Sequence, residues 1–500
     1  MRNGWCMMNN NEQTILNSIR GFATETPDKL AIVDTVTELT YEQFWEKICH
    51  AAAYMQHLGV EVGEPVVIKA TQTVEYLIVC HGVQLAGGIC IPLEKSVNAG
   101  RAVELMEETK ARIIFGDLDV EGYEYHRLDE ACSYEPSIEN EWEMPKTQAE
   151  AMILFTTGTT GKSKGIVIQY GAEFAVAENV MYGVEMKKDN VEMIPMPMNH
   201  SFSLRRYFAN MINGSTVVLI DGVFFVRVLF QMLEKYKVTA LALAPAAISI
   251  IFKLTRDKIG DYAAQLDYIQ LGSAPLPEGD KEHLLKILPN VRLYNLYGST
   301  ELGVSCALNF NSEDNMPSCI GYPTKNSIFK IIDEDGNEKE DATAEEPGFL
   351  SYTGTMKMKE YYGEPELTKA TLIEGYLRSS DLGYRDEKGR IFMLGRADDV
   401  IITGGNKVSP LEVEEATKKF PGVHDCICKG KPDPLIGAVP ILYIVVDEGF
   451  PVAKLEEHLR NLLEDFKRPR SVLLIESVPR TYNGKIDRKT EIKNEGGSIK

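Results

Sequence analysis

Five hundred residues, 44% hydrophobic and 25% charged, exceed what one hydrophobic core organises and suit an enzyme-sized chain of two or three domains. The 73 acidic against 53 basic side chains give a formal charge of -20, which repels a phosphate backbone and disfavours nucleic acid as a partner. Nine cysteines, an odd number without C-x-x-C spacing, fit reduced thiols.

Residues 1–11 are polar and lack the basic, apolar and small-residue regions of a secretion signal, so a cytoplasmic location is expected. "PVVIKA" (65–70) predicts a strand, followed by a helix from Val74, the strand "ICIPL" (89–93), a helix from Ala99 and the strand in "ARIIFGD" (111–117). The most apolar stretch, 76–93, contains His81 and Gln84 and is broken by Gly87 and Gly88, which predicts a buried helix and a strand and no membrane insertion. Residues 117–148 read as an acidic, irregular surface connection. A second alternation follows: "TVVLI" (216–220), "TALALA" (239–244), "YIQLG" (268–272) and "VRLYNLYG" (291–298), separated by amphipathic segments such as "EGDKEHLLKIL" (278–288). After residue 347 short strands alternate with Gly-rich turns, and from about 397 a compact segment mixes strands and helices like a small mobile lid. Cys426 and Cys428, near His424, alternate as on a strand and share one face, which predicts core packing and no metal site. The expected class is α/β: two related parallel-sheet halves plus a small β-subdomain in residues 1–396, and a mobile α+β lid in 397–500.

The loop "TTGTTGKSKG" (156–165) carries the tail of a Walker motif, but the glycine required five positions before Gly161 is Thr156. Parallel sheets bind ligands at the carboxyl ends of their strands. Three loops take that position: this one, "GSAPLP" (272–277) and "YGSTE" (297–301). Gly and Thr offer amides and hydroxyls to phosphate oxygens, Tyr297 a flat face to a base, and Glu301 a hard oxygen to magnesium. Singly, each has a plainer reading: a flexible surface loop, a core tyrosine, a carboxylate at a helix start.

Together these loops resemble the adenylate-forming superfamily of acyl-CoA synthetases, firefly luciferase and peptide-synthetase adenylation domains. The resemblance runs from about residue 26 to 489 and includes "SSDLG" (379–383), "LGRADDVIITGGNKVSP" (394–410) and "PRTYNGKIDRK" (479–489). It implies that Thr156, Thr157, Gly158, Thr159, Thr160, Gly161 and Lys164 grip the β- and γ-phosphates of ATP. Ser273, Ala274, Pro275, Tyr297, Gly298 and Ser299 would form the adenine and α-phosphate segments, with Thr300 on the α-phosphate and Glu301 on Mg2+. Asp381 and Arg396 would hold the ribose, Asp398 would be the hinge, and Lys485 would reach the reacting carboxylate and phosphate. Gly404 and Gly405, in the segment 403–407, are either a plain hairpin turn or part of the lining of a thiol tunnel.

The resemblance implies ATP-dependent formation of acyl-AMP and pyrophosphate, then transfer of the acyl group to CoA with release of AMP; the alternative acceptor is a carrier-protein thiol. The segment "PMPMNHSFSLRRYF" (195–208) lacks the aspartate that pairs with an amino acid's amine, which disfavours an amino acid substrate. His200 matches the position lining the acyl site near the carboxylate. Arg205 and Arg206 are either a solvated pair at a helix start or a receptor for a second acidic group. "APAAI" (244–248) is expected to border the acyl pocket. Ser163 replaces the usual Pro before Lys164, and Ser379-Ser380 and Tyr376 also depart from the family's pattern; none removes a charged catalytic group.

Overall fold

The computed structural model describes residues 13–118, 120–137, 141–157, 163–272, 276, 278–397, 399–403, 406–480 and 486–492. The first alternation forms a seven-stranded sheet, ordered Glu360–Tyr361, Ser163–Gln169, Glu150–Thr157, Ile89–Leu93, Pro65–Lys69, Ile113–Phe115, Glu124–His126. Its last five strands are parallel. The second alternation forms a larger sheet, parallel from Leu30–Val33 through Thr216–Leu219, Val191–Ile194, Ala240–Leu243 and Tyr268–Gly272 to Arg292–Ser299. Beyond Arg292–Ser299 it continues antiparallel into a β-subdomain that includes Gly348–Gly354, Tyr376–Arg385 and Ile391–Arg396.

Strand alternation sets the layers. Val66 and Ile68 of one sheet and Val217 and Leu219 of the other enter one shared core, while Val67 and Val218 face opposite, outer cores. The shared core holds the helices Tyr41–His57, Val74–Leu85, Tyr170–Gly183 and Ser201–Asn213. Val74–Leu85 is buried along its whole length except Glu75, which accounts for its apolar sequence without a membrane. No helix among the described residues is long and apolar enough to cross one.

Two expectations need correction. Residues 117–148 contain the edge strand Glu124–His126 and the helix Leu128–Ser133, whose brevity hid them behind a charged composition. And two of the three ligand loops do not lead into helices. Glu150–Thr157 returns antiparallel as Ser163–Gln169, and Arg292–Ser299 returns as Gly303–Asn309. A Walker loop feeds a helix amino terminus; this one joins two strands. Glu301 therefore lies in a turn between strands and is not a helix-start carboxylate.

The C-terminal sheet comprises Asn406–Val408, Ile401–Thr403, Gly437–Val446, Val423–Asp433 and Ser471–Leu474. It has its own core with Pro410–Lys418 and Val452–Leu462, and Cys426 and Cys428 both point into it. Exposed His424 pairs with Asp447, away from both thiols.

Burying the helix layer on both sides leaves its polar groups to pair with one another or with the strands they pack on. Gln84 Nε2 donates to Glu173 Oε1 at 3.3 Å, and Gln84 Oε1 accepts from His81 Nδ1 at 2.8 Å. His81 Nε2, left as the acceptor of a neutral ring, receives the Tyr207 hydroxyl at 2.8 Å. Burial pushes the Glu173 carboxyl up to about 8, against the Gln84 amide, and pulls His81 down to about 4. A carboxyl that keeps its proton when folded but loses it when unfolded costs stability as pH rises from its unfolded value towards 8. The neutral histidine costs stability in the other direction, only below about pH 6.5. Between pH 6.5 and 8 the Glu173 effect stands alone. Chemical denaturation at these two pH values should show a loss of about 2 kcal/mol in the wild type, absent in Glu173→Gln; equal slopes would reject a protonated Glu173.

Candidate active site

The parallel strands of the larger sheet end beside the turn 299–303, and that turn is fixed by close backbone packing. A Cβ at Gly298 would lie 1.9 Å from the Gly303 carbonyl oxygen, and Gly303 itself sits at φ +65° with Val176 2.7 Å from where its Cβ would be. Side chains at either position would force the hairpin open and displace Thr300 and Glu301. Gly298 thus acts here by what it lacks.

Tyr297 precedes this turn and donates its hydroxyl to Asp381 Oδ2 at 2.5 Å. Burial, then the neighbouring Tyr352 and Asp381, holds the Tyr297 phenol well above its ordinary range, so it remains a donor. Asp381 and Arg396 are direct partners across antiparallel strands, with Arg396 exposed. Two motifs fifteen residues apart thereby set Asp381 and Arg396 opposite each other on neighbouring strands, with the Asp381 carboxylate on the Tyr297 hydroxyl.

Thr300 Oγ1 shares a 3.2 Å hydrogen bond with Ser201 Oγ, at the first residue of the helix Ser201–Asn213. His200 caps that helix, its Nδ1 accepting the Phe202 amide at 3.3 Å. His200, expected beside the acyl carboxylate, and Thr300, expected on the α-phosphate, are therefore brought to the same helix end. One turn on, Arg205 Nη2 donates to the Ser299 carbonyl at 2.6 Å and to the Thr300 carbonyl at 3.3 Å. Arg206 is fully buried and Arg205 half-buried, so the pair is not a solvated one, and Arg206 receives no substrate. Arg206 is 1% exposed and held in the core by both carboxylate oxygens of Glu192 and by the Tyr268 hydroxyl.

Glu301 Oε1 accepts the Tyr361 hydroxyl at 3.0 Å, and Lys164 Nζ stands 5.4 Å from the centroid of the same ring. Lys164 is the cross-strand partner of Thr156. Tyr361 thus joins the phosphate-loop lysine to the expected magnesium carboxylate. Glu301 beside the Thr300 hydroxyl fits a magnesium ion that takes one carboxylate and completes its octahedron with phosphate oxygens and water. No group of three or more His, Cys, Asp or Glu that could hold a metal ion occurs among the described residues.

Gly158, Thr159, Thr160, Gly161, Ser273, Ala274, Pro275, Asp398, Gly404, Gly405 and Lys485 lie outside the described residues, as does the side chain of Thr157. Sequence reasoning missed Tyr361, which belongs to no motif. It also misjudged Arg205, although the four-residue spacing from Ser201 puts both on one helix face.

The AMP-binding enzyme family matches residues 19–362, and its AMP-binding enzyme C-terminal domain matches 412–485. The chain belongs to the AMP-binding enzyme family. Among curated members of this family, the 2-succinylbenzoate–CoA ligase of Bacillus cereus (strain AH820) is 26% identical over 492 residues, covering 95% of this chain and 98% of that one. The same fold occurs in o-succinylbenzoate CoA synthetase from Bacillus subtilis with its acyl-adenylate intermediate (TM-score 0.83, 23% identity, 96% and 99% of the two chains). It occurs as well in the anthranilate CoA ligase AuaEII with anthranoyl-AMP (TM-score 0.84, 19% identity, 96% of each chain).

A phenylalanine at 361 removes the donor that orients Glu301 and leaves the ring beside Lys164. Tyr361→Phe is expected to raise the Mg2+ concentration for half-maximal activity about tenfold, with little change at saturating Mg2+. Superimposable Mg2+ titrations of the two proteins would break the link.

Proposed function

We propose that this AMP-binding enzyme is an acid–thiol ligase that makes acyl-CoA in two steps. A carboxylate oxygen attacks the α-phosphorus of ATP, the bond to the bridging oxygen of the β-phosphate breaks, and acyl-AMP and pyrophosphate form. The thiol of CoA then attacks the acyl carbon, whose bond to the phosphate oxygen breaks, and AMP leaves. The observation that carries this reading is the convergence of Thr300 and Glu301, the Tyr297–Asp381 pair with Arg396, and Lys164 on the ends of the strands.

Each residue has a task set by its chemistry. Tyr297 offers its ring to adenine, Asp381 and Arg396 hold the ribose hydroxyls, and Thr156 and Lys164 meet the outer phosphates that leave together. Thr300 donates to the α-phosphate, and His200 borders the carboxylate at the helix end it caps. Glu301 is the protein ligand for Mg2+, whose charge offsets that of the phosphates when it is bound. Lys485 supplies a preorganised cation to charge building at the α-phosphorus, an effect of about 3 kcal/mol or more. Residues 397–500 are a lid, distinct from the body 1–396, that exchanges Lys485 for the segment 403–407 between the two steps about a hinge at Asp398. The reading places the enzyme in the cytoplasm. The names of its relatives put aryl carboxylic acids first among candidate substrates, with CoA as acceptor.

A panel of carboxylic acids with ATP, Mg2+ and CoA should release AMP and pyrophosphate in equal amounts with at least one acid. Formation of ADP would reject the mechanism, and presenting acyl-AMP with CoA or with a carrier-protein thiol decides the acceptor. Lys485→Ala should lower acid-dependent pyrophosphate exchange by about 10²-fold or more while sparing most thioester formation from preformed acyl-AMP. Equal loss in both assays would contradict the exchange of sites.

A further inference from the structure

Adjacent arginines solve burial in opposite ways. Arg206 is neutralised by Glu192 inside the core, through its Nε and Nη2. Arg205 instead meets the carbonyl oxygens of Ser299 and Thr300, and no ion pair of Arg205 is found among the described residues. Carbonyl dipoles orient a guanidinium but leave its unit charge in place. Both bonds engage Nη2, out of five N–H donors on the group.

Among the described residues, no carboxylate makes an ion pair with that charge. Glu173, on the neighbouring helix Tyr170–Gly183, lines the same cavity of about 20 Å³ with Ser201, Arg205 and Thr300, a space for about one water. That carboxyl is the one burial holds protonated, so it does not answer the arginine. The Glu301 carboxylate favours the charged arginine without an ion-pair contact, and its Oε1 accepts from Tyr361. A half-buried cation that no carboxylate contacts directly is better satisfied when an anion arrives to meet it.

We infer that Arg205 is a positioning residue for the adenylation centre: it fixes the Ser299–Thr300 backbone from the acyl-side helix and biases the site towards an anionic α-phosphate. This rests on the adenylation reading and goes beyond it, since no motif marks the residue. One side chain thereby couples the helix that carries His200 to the turn that carries Thr300 and Glu301. Burial lowers the Arg205 pKa to about 10, against the Glu301 carboxylate and the Tyr352 phenol, which leaves it charged at neutral pH.

The test compares Arg205→Met and Arg205→Lys with wild type in steady-state adenylation, in calorimetric AMP binding and in thermal unfolding. Arg205→Met should lose about 10²-fold in kcat and about tenfold in AMP affinity, and Arg205→Lys, which keeps the charge and one bond, should recover about tenfold of the kcat. Values for Arg205→Met within about twofold of wild type would overturn the inference. So would an Arg205→Lys protein as impaired as Arg205→Met, with a matching fall in Tm, because that pattern marks packing alone. If Arg205→Met does not fold, the same comparison is read from Arg205→Lys against wild type: a kcat loss of about tenfold at unchanged Tm supports the assignment, and no loss overturns it. Should wild type release no AMP with any acid, the adenylation reading fails by itself, and AMP affinity still decides Arg205.

Discussion

A layer of helices buried between two sheets governs the rest of the molecule. Such helices have no solvent face, so Val74–Leu85 and Tyr170–Gly183 are apolar around most of their circumference and carry little amphipathic signal. Their polar side chains must then find partners in the same layer or on the strands it packs on. His81, Gln84, Glu173 and Tyr207 do so as a chain that crosses three helices. The layer also brings the carboxyl ends of both sheets to one side, and the loops that leave those ends are where the nucleotide is proposed to bind.

The site follows from that arrangement with few further devices. Glycines at 298 and 303 let two strands approach until only hydrogen atoms fit between them, and the turn they enclose holds Thr300 and Glu301 outward. Hydrogen bonds from three directions then fix the turn: Ser201 and Arg205 from the helix, Tyr361 from the far edge of the other sheet. A turn held in this way is preorganised by backbone and neighbours, so in the proposed role little needs to move when charge develops on the α-phosphorus.

Much of this was legible beforehand. The strands at 65–70, 89–93, 216–220, 239–244, 268–272 and 291–298 announced themselves as short apolar runs bounded by turn residues, and the ligand loops followed from their ends. What could not be read was which strand each loop feeds. Antiparallel returns after 157 and 299 depend on pairing partners distant in sequence, and local composition does not encode them. Glu124–His126 was invisible for the same reason, since an edge strand of three polar residues owes its form to its neighbour. Charged pairs misled most: Arg205 and Arg206 look alike in sequence, and only Glu192 in the core distinguishes them.

The acidic composition, finally, is compatible with a triphosphate substrate because charge acts locally. At physiological ionic strength the screening length is about 8 Å, so carboxylates distant from the proposed nucleotide site contribute little there, and the groups proposed to line it, Lys164 and Arg205 among them, dominate. The distribution also bears on the proposed lid. Of the formal charge of -20, residues 397–500 carry -1, from 16 Lys and Arg against 17 Asp and Glu, and the body carries the remainder. A strongly basic lid would be pinned to an acidic body and a strongly acidic one driven from it. A near-neutral lid experiences neither, and its orientation is left to specific contacts such as the bond from Ser409 Oγ to the Leu394 carbonyl. Contacts of that size, two or three at a time, are weak enough for substrate binding to exchange one orientation for another.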